Sequence, residues 1–162
     1  MASLPELTLL GYDPNGSFYD LRKSLIGTST VPTLVPESLA AWGSTCNGFF
    51  QRLASHESKA SQSYYYKNHL QYFDAIYRSL SELSRTLASQ GICVLVVQDS
   101  YYKDVHNDLP QIFIEMADNN RLRLQRREDF SLLRTMARIN PGARRYRKDF
   151  GATESVLCFS KR

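Results

Sequence analysis

Residues able to do chemistry cluster in the second half of this 162-residue chain. The apolar run Ile92–Val97 ends in Gln98-Asp99-Ser100-Tyr101-Tyr102-Lys103, followed by Asp104 and His106. An apolar strand, a polar turn and then an amphipathic helix from about Asp108 make the strand–loop–helix step of an α/β sheet, where ligands lie outside the carboxyl ends of strands. Asp104 and His106 could serve as a base and its orienter, but with no nucleophile beside them they read as ordinary loop polar residues. The three histidines, 56, 69 and 106, form no i, i+4 pair, and Cys46, Cys93 and Cys158 form no C-x-x-C, so no zinc ligand set is recognisable. Cys93 and Cys158 sit in strand-like runs, where small buried thiols are expected.

Cations form a second cluster. Arg121, Arg123, Arg126, Arg127, Arg134, Arg138, Arg144, Arg145, Arg147 and Lys148 lie within one stretch opposed only by Glu128 and Asp129, although the net charge of the chain is +4. Arginine suits phosphate contact and stacking, so this density points to nucleic acid. Tyr146, flanked by Arg145 and Arg147, is the aromatic side chain placed to stack on a base. The expected nucleic-acid contacts are therefore Arg134, Arg138, Arg144, Arg145, Tyr146 and Arg147.

The elements that position these groups follow from periodicity. Prolines 5, 14, 32 and 36 make residues 1–36 loop-rich, with a short helix over Phe18–Ile26 stopped at Gly27. A helix is expected from Pro36 to about Ala54, weakened by Gly43 and Gly48. The strongest helix spans Ser61–Ser89, where Tyr66, Leu70, Phe73, Ile76, Tyr77, Leu80, Leu83 and Leu87 form one stripe and Gly91 marks the stop. Tyr64-Tyr65-Tyr66 lies in its first turn, and at least one of these rings must project away from the stripe. Ile92–Val97 is apolar at every position, as expected of a central parallel strand. A helix over 108–119, an alternating strand over 122–126, a turn at Pro141-Gly142 and a last strand over 153–160 complete the order. The final two strands have no helix between them and should pair antiparallel.

From Gly91 to Lys161 the chain resembles the C-terminal half of Rossmann-like adenosylmethionine-dependent amino-methyltransferases of nucleic acids, the N4-cytosine/N6-adenine DNA group and its tRNA guanine relatives. The resemblance rests on Asp99-Ser100-Tyr101-Tyr102 with His106, on Arg144–Arg147, and on Glu154-Ser155-Val156-Leu157-Cys158-Phe159. Leu10-Gly11-Tyr12 and Leu21–Thr28 are similar to the segment that follows that family's catalytic Pro-Pro-Tyr motif. The implied fold is α/β: about three strands of a methyltransferase-type sheet ending in an antiparallel pair, after a mainly helical region (1–90), in a single domain over 1–162. The resemblance also implies that Asp99, Ser100, Tyr101 and Tyr102 flank the target base, with Tyr101 or Tyr102 stacking on it.

The departures from that family set the expected role. No two glycines are closer than five positions, so no G-x-G loop exists, and there is no Pro-Pro pair. No catalytic residue and no metal ligand can be assigned. The cofactor loop and the catalytic tetrapeptide are therefore expected on a second protein chain, with adenosylmethionine bound only when that partner is present. The chain is expected to be one subunit of a split methyltransferase of a restriction-modification or defence type, inactive alone, with DNA favoured over RNA. The alternative is a non-catalytic methyltransferase-like interaction or regulatory protein. Left alone, Ile92–Val97 would be a bare hydrophobic strand, so either the partner chain or a homo-oligomer should cover it. No stretch reaches the ~20 apolar residues of a membrane span, and Met1–Pro5 does not begin a signal peptide, so a cytoplasmic location is expected.

Overall fold

The computed structural model describes residues 8–11, 13, 17–31, 40–58, 61–132, 146 and 151–162. Helices come first, then a three-stranded antiparallel sheet and a separate two-stranded hairpin. Helix α1, Ser17–Ser24, ends before Gly27, whose φ of 82° places it in the left-handed region that a glycine stop favours. A 3₁₀ turn, Ala40–Trp42, leads through Gly43 into α2, Ser44–Ser55. The helix weakened in the sequence by Gly43 is interrupted there. The Gly43 φ is 91°, and a Cβ there would lie 2.1 Å from the Glu115 carboxylate, so both backbone and space demand glycine. Gly48 sits inside α2 without interrupting it.

The long helix α3, Tyr66–Thr86, is preceded by a π turn, Ser61–Tyr65. Leu70, Phe73 and Leu80 are buried as the stripe predicts, but Leu83 is exposed. The helix ends at Thr86, so Gly91 is not its immediate stop. Gly91 instead lets the chain pass close to Leu87, whose Cδ1 would lie 2.8 Å from an added Cβ. Helix α4, Leu109–Asn119, is capped by Asp108, which accepts from the Gln111 N–H at 3.2 Å, and carries Pro110 in its first turn.

Strand β1, Ile92–Gln98, does not lie centrally in parallel pairing. It pairs antiparallel with the last strand β5, Ala152–Lys161, and no strand lies along its other edge among the described residues. Strand β4, Leu122–Leu132, flanks β5 on the far side, giving the order β1-β5-β4. The expected antiparallel pairing of the last two strands is present, with a bulge at Gln125, and β4 runs well beyond the alternating segment. Helix α4 carries the chain across the sheet from the β1 side to the β4 side.

Register divides the sheet into two unlike faces. Leu157, Phe159, Leu122 and Val97 point to the helices and join Trp42, Phe49, Phe50, Phe73, Ile112 and Met116 in the core. The aromatic rings of α2 and α3 meet at tilted and edge-on angles, Phe50 and Phe73 with centroids 5.8 Å apart. The opposite face aligns Val94 with Cys158 and Val96 with Val156. There Ile92, Val94 and Val96 are 69%, 55% and 62% exposed. Cys93 and Cys158 are half-buried rather than fully enclosed, whereas Cys46 is buried and its thiol is pushed up to about 12 by burial and by the neighbouring Glu115 charge. No helix among the described residues is long and apolar enough to cross a membrane.

Candidate functional site

The segment after β1, expected as a polar turn, is a β-hairpin. Strands β2, Ser100–Tyr102, and β3, Val105–Asn107, pair antiparallel around Lys103-Asp104, with Lys103 at φ 56°. Alternation explains it: Tyr102, Val105 and Asn107 are buried, while Tyr101 and His106 face the other way.

Asp99 ties this hairpin to the sheet. Its N–H donates to the Thr153 carbonyl at 2.9 Å, and its Oδ1 accepts from the Thr153 N–H at 2.8 Å. Its Oδ2 lies 3.0 Å from His106 Nε2. The histidine expected to pair with Asp104 thus pairs with Asp99, because Tyr101 and His106 face each other across the hairpin on the side where Asp99 emerges, their ring centroids 4.6 Å apart. Asp104, at the tip, is taken by His56 from the end of α2, at 3.0 Å. His56 Nδ1 accepts from the Ser58 N–H at 3.1 Å, so its proton sits on Nε2 and is donated to Asp104. Arg52 donates to the His106 carbonyl at 3.3 Å. Two histidine–aspartate pairs and one arginine therefore brace the hairpin.

Asn107 donates to Ser100 Oγ at 3.0 Å, but its own Oδ1 is buried without a partner. Of the two tyrosines expected to be available for stacking, Tyr102 is enclosed. It is 8% exposed and packs against Tyr65 at 4.5 Å, with His56 and His69 farther off. His69 is held below the usual histidine range by burial, partly offset by its hydrogen bond to the Tyr65 carbonyl, and so is neutral at pH 7. Tyr101 is 38% exposed, with its ring against His106.

Arg134, Arg138, Arg144, Arg145 and Arg147 lie outside the described residues. Tyr146 is described: it is exposed, with Lys103 Nζ 4.9 Å from its ring centre. The opening part of the basic run is less free than its composition suggests. Arg126 pairs with Glu128 and Arg127 with Asp129, each at 2.8 Å, because residues two apart share one face of β4. Asp129 also accepts from Ser155 Oγ, and the Arg127 bond followed by the Ser155 bond holds its carboxyl below the usual range.

Sequence reasoning did not find His56, Arg52, Tyr65 or Lys103 as members of this site. His56 and Asp104 are 48 residues apart in sequence, a separation that no local pattern bridges. The described residues contain no group of three or more histidine, cysteine or acidic side chains placed to hold a metal ion. Comparison with protein families, curated proteins and solved structures finds no match.

Proposed function

We propose that this chain is one subunit of a split adenosylmethionine-dependent amino-methyltransferase of nucleic acid, acting on DNA, and that a partner chain completes its sheet along β1. The observation that carries this reading is the state of β1. The strand has no charged residue, no strand on one edge among the described residues, and three exposed β-branched side chains on one face. Edge strands of self-sufficient proteins are normally blunted by lysine, proline or a bulge, and β1 has none of these. Covering Ile92, Val94 and Val96 would contribute on the order of 1.5–3 kcal/mol per fully buried side chain. Both pairings of the sheet, β1–β5 and β5–β4, are antiparallel, so the reading rests on β1 and on the resemblance rather than on the strand pairing.

Gly11, Gly27, Gly43 and Gly91 do not form a loop that fits adenosylmethionine. The space beside Gly43 is filled by Glu115 and that beside Gly91 by Leu87, while Gly11 and Gly27 stand singly in open surroundings. The cofactor is therefore assigned to the partner. This chain's contribution is to hold the braced hairpin at the end of β1, with the partly exposed Tyr101 beside the target base.

Co-expression with the product of the adjoining reading frame tests the proposal. A stable complex should transfer labelled methyl groups from adenosylmethionine to DNA, and this chain alone should neither transfer them nor bind the cofactor in calorimetry. Val94→Asp should abolish the complex. A complex that binds DNA without transferring methyl groups would favour the non-catalytic reading. Micromolar binding of adenosylmethionine to the isolated chain would overturn the split-subunit assignment.

A further inference from the structure

A row of aromatic rings runs beside the hairpin. The Tyr64 ring meets Tyr65 edge-on at 5.1 Å and 87°, and Tyr65 meets the buried Tyr102 at 4.5 Å. Lys103 Nζ stands 5.6 Å from the centre of the Tyr102 ring and 4.9 Å from that of Tyr146. Contacts therefore run from Tyr64 through Tyr65, Tyr102 and Lys103 to Tyr146. Tyr102 is the floor, while Tyr64, Tyr65 and Tyr146 are 43%, 38% and 45% exposed.

The row is held in place. The Tyr64 hydroxyl donates to the Ser29 carbonyl at 2.7 Å, and Asn68 donates to the Thr28 carbonyl at 3.0 Å, fastening the Thr28-Ser29 segment to the start of α3. Tyr64 and Tyr65 project from the π turn Ser61–Tyr65, a backbone form that recurs at functional sites. Lys103 has no carboxylate partner among the described residues, because the adjacent Asp104 is engaged by His56.

From this geometry we infer that Tyr64, Tyr65 and Tyr146, with Lys103 among them, form a stacking row for unpaired bases of a nucleic-acid strand. Every base offers a π face to an exposed ring, and the Lys103 ammonium beside the rings supplies the phosphate contact that such strands need. The inference rests on the nucleic-acid part of the proposed function but not on methyl transfer. It uses a different set of rings from the tyrosine facing the target pocket.

Fluorescence anisotropy of the full chain with a labelled, mixed-sequence single-stranded deoxyoligonucleotide at two salt concentrations provides the test. Tyr64→Ala and Tyr65→Ala should each weaken binding on the order of 10-fold with little change in salt slope. Tyr65→Phe, which keeps the ring against Tyr102, should bind like the parent. Lys103→Ala should lower the salt slope by about one. The inference is overturned if the parent chain does not bind the oligonucleotide. It is equally overturned if Tyr64→Ala and Tyr146→Ala bind like the parent at unchanged thermal stability, including the case where they alter self-association instead. Methyl transfer by the assembled complex is read separately. Loss of oligonucleotide binding in the tyrosine variants, together with a complex that transfers nothing, would retain the row and remove the methyltransferase reading.

Discussion

Glu115 shows how one side chain can fix two elements. It projects from α4 into the start of α2, where its Oε2 accepts from the Thr45 N–H at 2.9 Å and its Oε1 from the Thr45 hydroxyl at 2.5 Å. Gln111 adds a bond at 3.2 Å. The first turn of α2 has unsatisfied N–H groups and no cap from Gly43, so a carboxylate from another helix replaces the missing cap. Burial raises the affinity of Glu115 for a proton, but the combined hydrogen bonds from Thr45, Gln111 and Ser44 outweigh it and hold the carboxyl below the usual glutamate range. A folded-state pKa below the unfolded value means that this stability is present above the usual range and is lost as pH falls through the folded value. Glu115→Ala should therefore lower stability by about 1 kcal/mol at neutral pH, as loss of a helix cap does. Its thermal midpoint should also fall less than the parent's on acidification, which a series of melts between neutral pH and pH 3 would read. Equal acid sensitivity in the two proteins would contradict the capping role.

At the scale of elements, the hairpin depends on Asp99. This side chain is nearly buried and serves two masters, the first residues of β5 and His106. Asp99→Ala would leave the half-buried Thr153 N–H without its acceptor, a loss of about 1 kcal/mol. The hairpin should loosen while the helical core remains intact. Hydrogen exchange should show faster exchange at Thr153 and across Ser100–Asn107, with little change in α3. Uniform acceleration over the whole chain would mean that Asp99 supports the global fold instead. The same substitution should disturb Tyr101, whose ring rests against His106.

For the molecule as a whole, the dominant feature is a sheet whose two faces differ. The inner face joins the core with α2, α3 and α4, whereas on the outer face Ile92, Val94 and Val96 are exposed beside an edge that no strand pairs among the described residues. Exposed apolar surface of this kind marks an interaction site or an aggregation hazard. Isolated chain should accordingly self-associate as its concentration rises. Val94→Lys combined with Val96→Lys should reduce that association without lowering the melting temperature, because substitutions at exposed positions cost little. Sedimentation velocity over a concentration series decides this. A parent protein that stays a monodisperse monomer throughout would show that the face needs no cover.

The elements were largely legible in the sequence because their signals are local. The stripe of α3, the amphipathic run of α4 from about Asp108, the apolar run of β1 and the antiparallel closing pair all follow from period and turn chemistry. Even the weak point at Gly43 was legible, although only the structure shows that Glu115 occupies the space its missing side chain leaves. Pairing across long separations was not legible. Whether β1 was central or lay at an edge depended on where β5 inserted, which its continuous apolar sequence does not reveal. The partners of His56, His106 and Asp104 were likewise decided by the hairpin, which turns Tyr101 and His106 to one side and Tyr102 to the other. Sequence determined which segments would be apolar, charged or turned. Tertiary structure decided which apolar side chains were left exposed and which polar ones met, because burial and ion pairing depend on distances between segments far apart in the chain.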